Sequence, residues 1–151
     1  MSKLSFVYVT YIHTTPEKLW NALIDPEMTK DYWGRHRNSS DWKQGSTWRH
    51  ENYDTADVAV AGTVVESVSP RRLVLTWERP NAGDRSRVTF DIEPFMGSVR
   101  LTVTHEELMP EMLRSVSTGW PAILSSLKTM LETGASLAMT RQPFTHTVTQ
   151  R

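Results

Sequence analysis

Five histidines, at positions 13, 36, 50, 105 and 146, are the side chains best suited to move protons or bind a metal near neutral pH. They are widely spaced, with no His-x-His and no His-Glu-x-x-His pattern that would place two imidazoles on one ion. Cysteine is absent, which removes thiolate metal sites, cysteine nucleophiles and disulfides together and makes a reducing cytoplasm the expected compartment. No Gly-x-Ser-x-Gly elbow presents a nucleophilic serine, and no glycine-rich phosphate loop of the Rossmann or Walker type occurs. The sequence therefore predicts neither metal nor cofactor.

Strand alternation puts His50 on the side of Trp48, and His105 on the side of Leu101 and Val103. An imidazole held in an apolar interior is neutral, able to orient a ligand carbonyl or to act as a base. The alternative for both is a strand-end imidazole bonded to a nearby carbonyl or water. Glu66 shares a face with Val64 and Val68 by the same alternation, so it is either an inward carboxylate that needs a cationic partner or an edge residue. Six tryptophans stand at 20, 33, 42, 48, 77 and 120. Trp20 reads as helix-to-sheet packing. Trp33, Trp48, Trp77 and Trp120 are the candidate walls of an aromatic pocket, with Phe90, Leu101, Ile123 and Met130 lining the same space or serving as ordinary core. Arg35-His36-Arg37 follows Trp33-Gly34 and is a candidate attractor for an acidic head group.

These residues need a scaffold, and 151 residues with 38% hydrophobic and 23% charged content suffice for one domain with one core. Lys plus Arg and Asp plus Glu are 17 each, so no bulk charge draws the chain to nucleic acid. No run of 18 apolar residues exists, and no signal peptide or membrane span is expected. Residues Phe6 to Ile12 are β-branched or aromatic almost throughout and predict a strand half-covered or buried on both faces. Thr15 caps a helix over Pro16 to Ile24, and Asp25-Pro26-Glu27 starts a second short helix that runs through Met28 and Tyr32 and ends at Gly34.

Arg35 to Ser46 is polar and irregular. Beyond it a period of two predicts five strands over Thr47–Tyr53, Val58–Val68, Leu73–Glu78, Arg87–Glu93 and Ser98–Glu106, joined by short turns and hence antiparallel. One face of this six-stranded sheet is apolar. The long helix that covers it carries Trp120, Ile123, Leu124, Leu127, Met130 and Leu131 at helical spacing and stops at Gly134. Its cap is placed near Thr118 or Gly119, with an upstream turn through Pro110 to Val116 able to join it across a kink. Residues 1–134 form a single α+β domain, and the Thr-rich tail from Ala135 to Arg151 is expected to be loosely held.

Several segments resemble one family in sequence and in order. They are Thr15-Pro16-Glu17-Lys18-Leu19-Trp20-Asn21-Ala22-Leu23, Tyr32-Trp33-Gly34, Gly62-Thr63-Val64-Val65-Glu66, Pro70-Arg71-Arg72-Leu73 with Thr76-Trp77, Leu101 to Glu106, and Gly119-Trp120 with Leu131 to Gly134. The chain resembles the activator-of-heat-shock-protein-90-ATPase-like proteins of the START-like (SRPBCC) superfamily. The resemblance implies a helix-grip fold with a cavity between curved sheet and C-terminal helix, often holding an apolar or aromatic small molecule. It implies no single reaction, since relatives include a chaperone co-activator domain, polyketide cyclases and lipid carriers. The expectation is a binding module for an apolar or aromatic molecule. An enzyme of the polyketide cyclase type, with His50, His105 or Glu66 as base, and a domain that meets a chaperone partner are the alternatives.

Overall fold

The computed structural model describes residues 3–144. Its elements run β1 (Leu4–Ile12), α1 (Pro16–Ile24), α2 (Pro26–Tyr32), β2 (His36–Ser39), β3 (Thr47–Asn52), β4 (Val58–Val68), β5 (Arg72–Trp77), β6 (Ser86–Phe95), β7 (Ser98–Leu108) and α3 (Pro110–Thr133), followed by a 3-10 turn at Ala138–Thr140. All strands join one antiparallel sheet in the order β1-β7-β6-β5-β4-β3-β2. The α+β helix-grip layout is as expected, with seven strands instead of six.

Local chemistry explains the first helical unit. The Thr15 side chain accepts the Lys18 N–H at 3.2 Å, Pro16 opens the helix, and the Asp25 side chain accepts the Glu27 N–H at 2.9 Å to start α2. The Tyr32 hydroxyl, fully buried, donates to the Ala22 carbonyl at 2.8 Å and ties the two helices together. Leu73, Leu75, Val88, Phe90, Ile92, Val99, Leu101 and Val103 alternate along β5, β6 and β7 and bury one face of the sheet, in the same core as Leu19, Leu23 and Tyr32. From α3, Val116, Trp120, Ile123, Leu124 and Leu127 close over that face.

Three expectations are corrected. β2 is an additional edge strand: it contains no β-branched residue, and its register to β3 pairs Asn38 with His50. α3 begins at Pro110 and runs unbroken through Pro121. Buried positions 116, 120, 123, 124 and 127 keep one phase across the proline, so packing of that stripe outweighs the lost N–H of residue 121. β1 is an edge strand and is wet on one side, with Val7, Val9 and Tyr11 exposed while Ile12 is buried.

The start of the tail is also tied down. Thr140 is fully buried, and its carbonyl accepts the Gly34 N–H at 2.8 Å, whereas residues 145–151 lie outside those described. No described helix is long and apolar enough to cross a membrane.

Candidate functional site

Between the sheet and α3 the space is filled by rings. Trp33, at the end of α2, stands 5.3 Å from Trp120 of α3, 6.4 Å from Trp77 of β5 and 5.2 Å from His50 of β3, ring centre to ring centre. Trp77 in turn lies 5.6 Å from Trp48 and 5.3 Å from His105, and Phe90 meets Trp120 edge-on at 5.9 Å. These are ordinary offset and edge-to-face aromatic separations. Leu101 and Ile123 are buried in the same core, and Met130 packs against it half-buried. Ten of the eleven candidate residues therefore belong to the core between sheet and helix.

The eleventh does not. Glu66 points to the outer face, where it accepts from Arg72 at 3.2 Å, and Arg72 also donates to Asp91 at 2.7 Å. The reason is a bulge in β4: Val64 pairs with Leu75 but Glu66 pairs with Val74, so the strand gains a residue and the alternation inverts after Val64.

Where the resemblance implies a cavity, buried side chains of sheet and helix belong to one packed cluster. Two hollows lie elsewhere on the surface. One, of about 290 Å³, touches Asn21, Met28 and Leu131; the other, of about 490 Å³, is bordered by Gly62, Glu78 and the Arg79–Arg85 loop.

The two inward histidines have distinct roles. His105 accepts the Trp120 indole N–H at Nδ1, 3.1 Å away, so its proton sits on Nε2, which donates to Ser86 Oγ at 2.7 Å. The Ser86 hydroxyl in turn donates a hydrogen bond to the Trp77 carbonyl at 3.3 Å. The Ser–His contact is thus oriented opposite to that of a nucleophile and its base, because the imidazole donates to the hydroxyl. Burial pushes the His105 pKa down to about 4. His50 donates from Nδ1 to Asn38 Oδ1 at 2.6 Å, and its ring stacks on His36 with centres 4.7 Å apart. Burial, and then the neighbouring His36, hold His50 well below the usual histidine range. Both imidazoles are neutral at pH 7.

Arg35-His36-Arg37 is already neutralised by its neighbours. Arg35 forks onto Asp54 at 2.9 and 3.0 Å, and Arg37 reaches the buried Glu51 at 3.3 Å. No cluster of three metal-ligating side chains occurs among the described residues.

Sequence reasoning missed three contributors. Asn38 and Ser86 fix the tautomers of His50 and His105, and only pairing across strands brings them together. Gly62 faces Trp48, whose indole N–H reaches the Thr76 carbonyl at 2.8 Å; a Cβ at residue 62 would lie 2.1 Å from that oxygen.

Over residues 13–132 the sequence matches the family model described as Activator of Hsp90 ATPase homolog 1-like protein. The chain belongs to this family. No curated protein matches it. Solved structures share the fold at low identity. CalU16 from Micromonospora echinospora is 18% identical with a TM-score of 0.73, covering 86% of this chain and 77% of that one. The Aha1 dimer from Colwellia psychrerythraea is 20% identical at a TM-score of 0.73, with 87% and 98% covered. An Hsp90 activator from Plasmodium falciparum is 21% identical at 0.71, with 84% and 95% covered. The SRPBCC fold of this member of the family is thereby shared with proteins of different description.

Proposed function

We propose that this family member is a binding domain for an apolar, planar small molecule, which enters by displacing Trp33 from the aromatic cluster. The observation that carries this reading is the position of Trp33. It is a single ring, supplied by the turn between two short elements, inserted between Trp77 and His50 of the sheet and Trp120 of the helix. A planar guest in its place gains the same offset and edge contacts, and burial contributes roughly 25 cal/mol per Å² of apolar area. Among the described residues the indole N–H of Trp77 has no hydrogen-bond partner, in contrast to those of Trp48 and Trp120, and it is not sealed from solvent. That donor is suited to orienting a ligand carbonyl once Trp33 has moved aside.

The geometry gives less support to catalysis. Both nitrogens of His105 are committed, Glu66 is on the opposite face of the sheet, and the Nδ1 of His50 is bonded to Asn38 and not to a carboxylate. A protein-partner role has one observation in its favour: Val7, Val9, Tyr11 and Phe95 form an exposed apolar surface on the outer face, with Tyr11 and Phe95 5.0 Å apart. An Hsp90-type chaperone is the partner the relatives' descriptions suggest.

Thermal unfolding against a panel of planar aromatic compounds separates the readings. A ligand at a hundred times its Kd stabilises by about 2.7 kcal/mol. We expect at least one compound to raise Tm and to change tryptophan emission, and Trp33→Leu to alter its affinity. A panel without effect, together with stimulation of a chaperone ATPase, rejects the binding reading in favour of the partner one.

A further inference from the structure

The segment from Leu137 to Phe144 crosses from the back of α3 to the turn that carries Trp33, and four hydrogen bonds fix its course. The Leu137 N–H donates to Ser126 Oγ at 2.8 Å, and Ser126 and Thr140 share a 2.7 Å hydroxyl contact. Thr140 Oγ1 then donates to the Asp31 carbonyl of α2 at 3.0 Å. The single Thr140 hydroxyl proton is shared between two carbonyls at 3.0 Å, those of Asp31 and Leu137, so Ser126 is the donor between the two hydroxyls. Finally the Thr140 carbonyl accepts the Gly34 N–H at 2.8 Å. Ser126 and Thr140 are both fully buried. These bonds stitch α3 to the end of α2 on either side of Trp33.

Gly34 itself is built for this closure. Its φ of +68° suits glycine, and a Cβ there would meet the Phe144 ring at 3.0 Å. The segment is otherwise lightly held: residues 141–144 are exposed, and Thr140 is its one buried residue between Ala138 and Phe144. A short strap with a single buried anchor, bonded to the residue next to the ring that closes the interior, has the construction of a latch.

We propose that Leu137–Phe144 is a latch that holds Trp33 in the aromatic cluster, and that its release opens the space between sheet and α3. The ligand admitted by that opening rests on the function proposed above; the opening itself does not, and is measured without ligand.

Amide exchange followed by NMR on the full chain, on Thr140→Val and on a chain ending at Ser136 tests it. The amides to follow are those of Trp33, bonded to the Thr29 carbonyl at 2.9 Å, and Asn38, bonded to Thr29 Oγ1 at 3.0 Å, because neither is hydrogen-bonded to the strap. We expect exchange at both to rise at least tenfold in the shortened chain and by a smaller factor in Thr140→Val, with Phe90 of β6 and Val103 of β7 unchanged. Unchanged Trp33 and Asn38 amides in the shortened chain overturn the latch. So does an equal rise at Phe90 and Val103 in both variants, which marks general loss of stability. The planar probe 1-anilinonaphthalene-8-sulfonate is then added to the full and shortened chains. Faster association with the shortened chain supports ligand entry past Trp33, whereas local opening without probe binding leaves the latch in place and removes the binding reading.

Discussion

The indole N–H of Trp120 is donated to Nδ1 of His105 across 3.1 Å, joining the covering helix to the inner face of β7 by one polar contact inside an apolar core. The contact decides which nitrogen of His105 carries the proton and so what chemistry that ring performs. A ring whose Nδ1 is occupied and whose Nε2 donates to Ser86 is a structural crosslink between β6, β7 and α3.

The first prediction concerns acid. His105 titrates at about 4 in the folded chain and near 6.5 when unfolded, and His50 is shifted in the same direction. Between these pH values the unfolded chain binds more protons than the folded one, so stability is full above about pH 6.5 and is lost as pH falls towards 4. For His105 alone the loss is about 3 kcal/mol at pH 4. Urea unfolding measured from pH 7 to pH 4 should show this decline, and His105→Gln, though less stable at pH 7, should flatten it. An equally steep decline in the variant contradicts the assignment.

Removing the donor tests the tautomer. Trp120→Phe leaves Nδ1 buried without a partner, at a cost of about 1–3 kcal/mol beyond the change in packing. It also removes a bond that favours the neutral ring, so His105 titrates at higher pH in the variant. Nitrogen-15 NMR of the parent should show the proton on Nε2 of His105; a proton on Nδ1 is incompatible with the network.

Glu66 provides the converse case. Its carboxylate is about 40% exposed and pairs with Arg72 on the wet face of the sheet, where such pairs contribute less than about 1 kcal/mol. Glu66→Gln should leave Tm within a few degrees of the parent and leave binding of any ligand of the aromatic cluster unchanged. Loss of that binding would mean Glu66 reaches the interior after all.

What the sequence made legible, and what it hid, follows from the range of the forces involved. Thr15, Pro16 and Asp25 act within one turn, and the bounds Pro16–Ile24 were readable because the cap and the proline lie beside the helix they start. Alternation along β5, β6 and β7 is equally local, and it brought Trp77, Phe90, Leu101 and His105 to the correct face. The failures are all non-local. The bulge after Val64 depends on how β4 meets β5, and it turned Glu66 outward. β2 pairs with β3 over His36–Ser39 and sets Asn38 against His50, which no propensity of His36-Arg37-Asn38-Ser39 foretells. Thr140 looks like any tail threonine until Ser126 and Asp31 are placed beside it. The mutual contact of Trp33, Trp77 and Trp120 was hidden for the same reason, since an aromatic composition suits a pocket wall and a packed core alike.

Gly62 carries the last prediction, because two neighbouring strands meet there more closely than any side chain permits. It pairs with Trp48 on β3, and the Trp48 indole reaches past it to the Thr76 carbonyl on β5. The Thr76 hydroxyl accepts the Thr63 N–H at 2.8 Å, so both polar groups of Thr76 are engaged around this one glycine. An alanine Cβ would stand 2.1 Å from the Thr76 carbonyl oxygen and 2.6 Å from its hydroxyl, and backbone on both sides cannot give way without opening the β4–β5 pairing. Gly62→Ala should therefore cost at least about 2 kcal/mol, through overpacking and the loss of the Trp48 bond. Gly45→Ala is the comparison: with φ at +92° and nothing within 4 Å of the new Cβ, it bears backbone strain alone, about 1 kcal/mol. Chemical denaturation of the two variants should rank Gly62→Ala well below Gly45→Ala. The reverse order would show that β4 and β5 are farther apart at Thr76 than described.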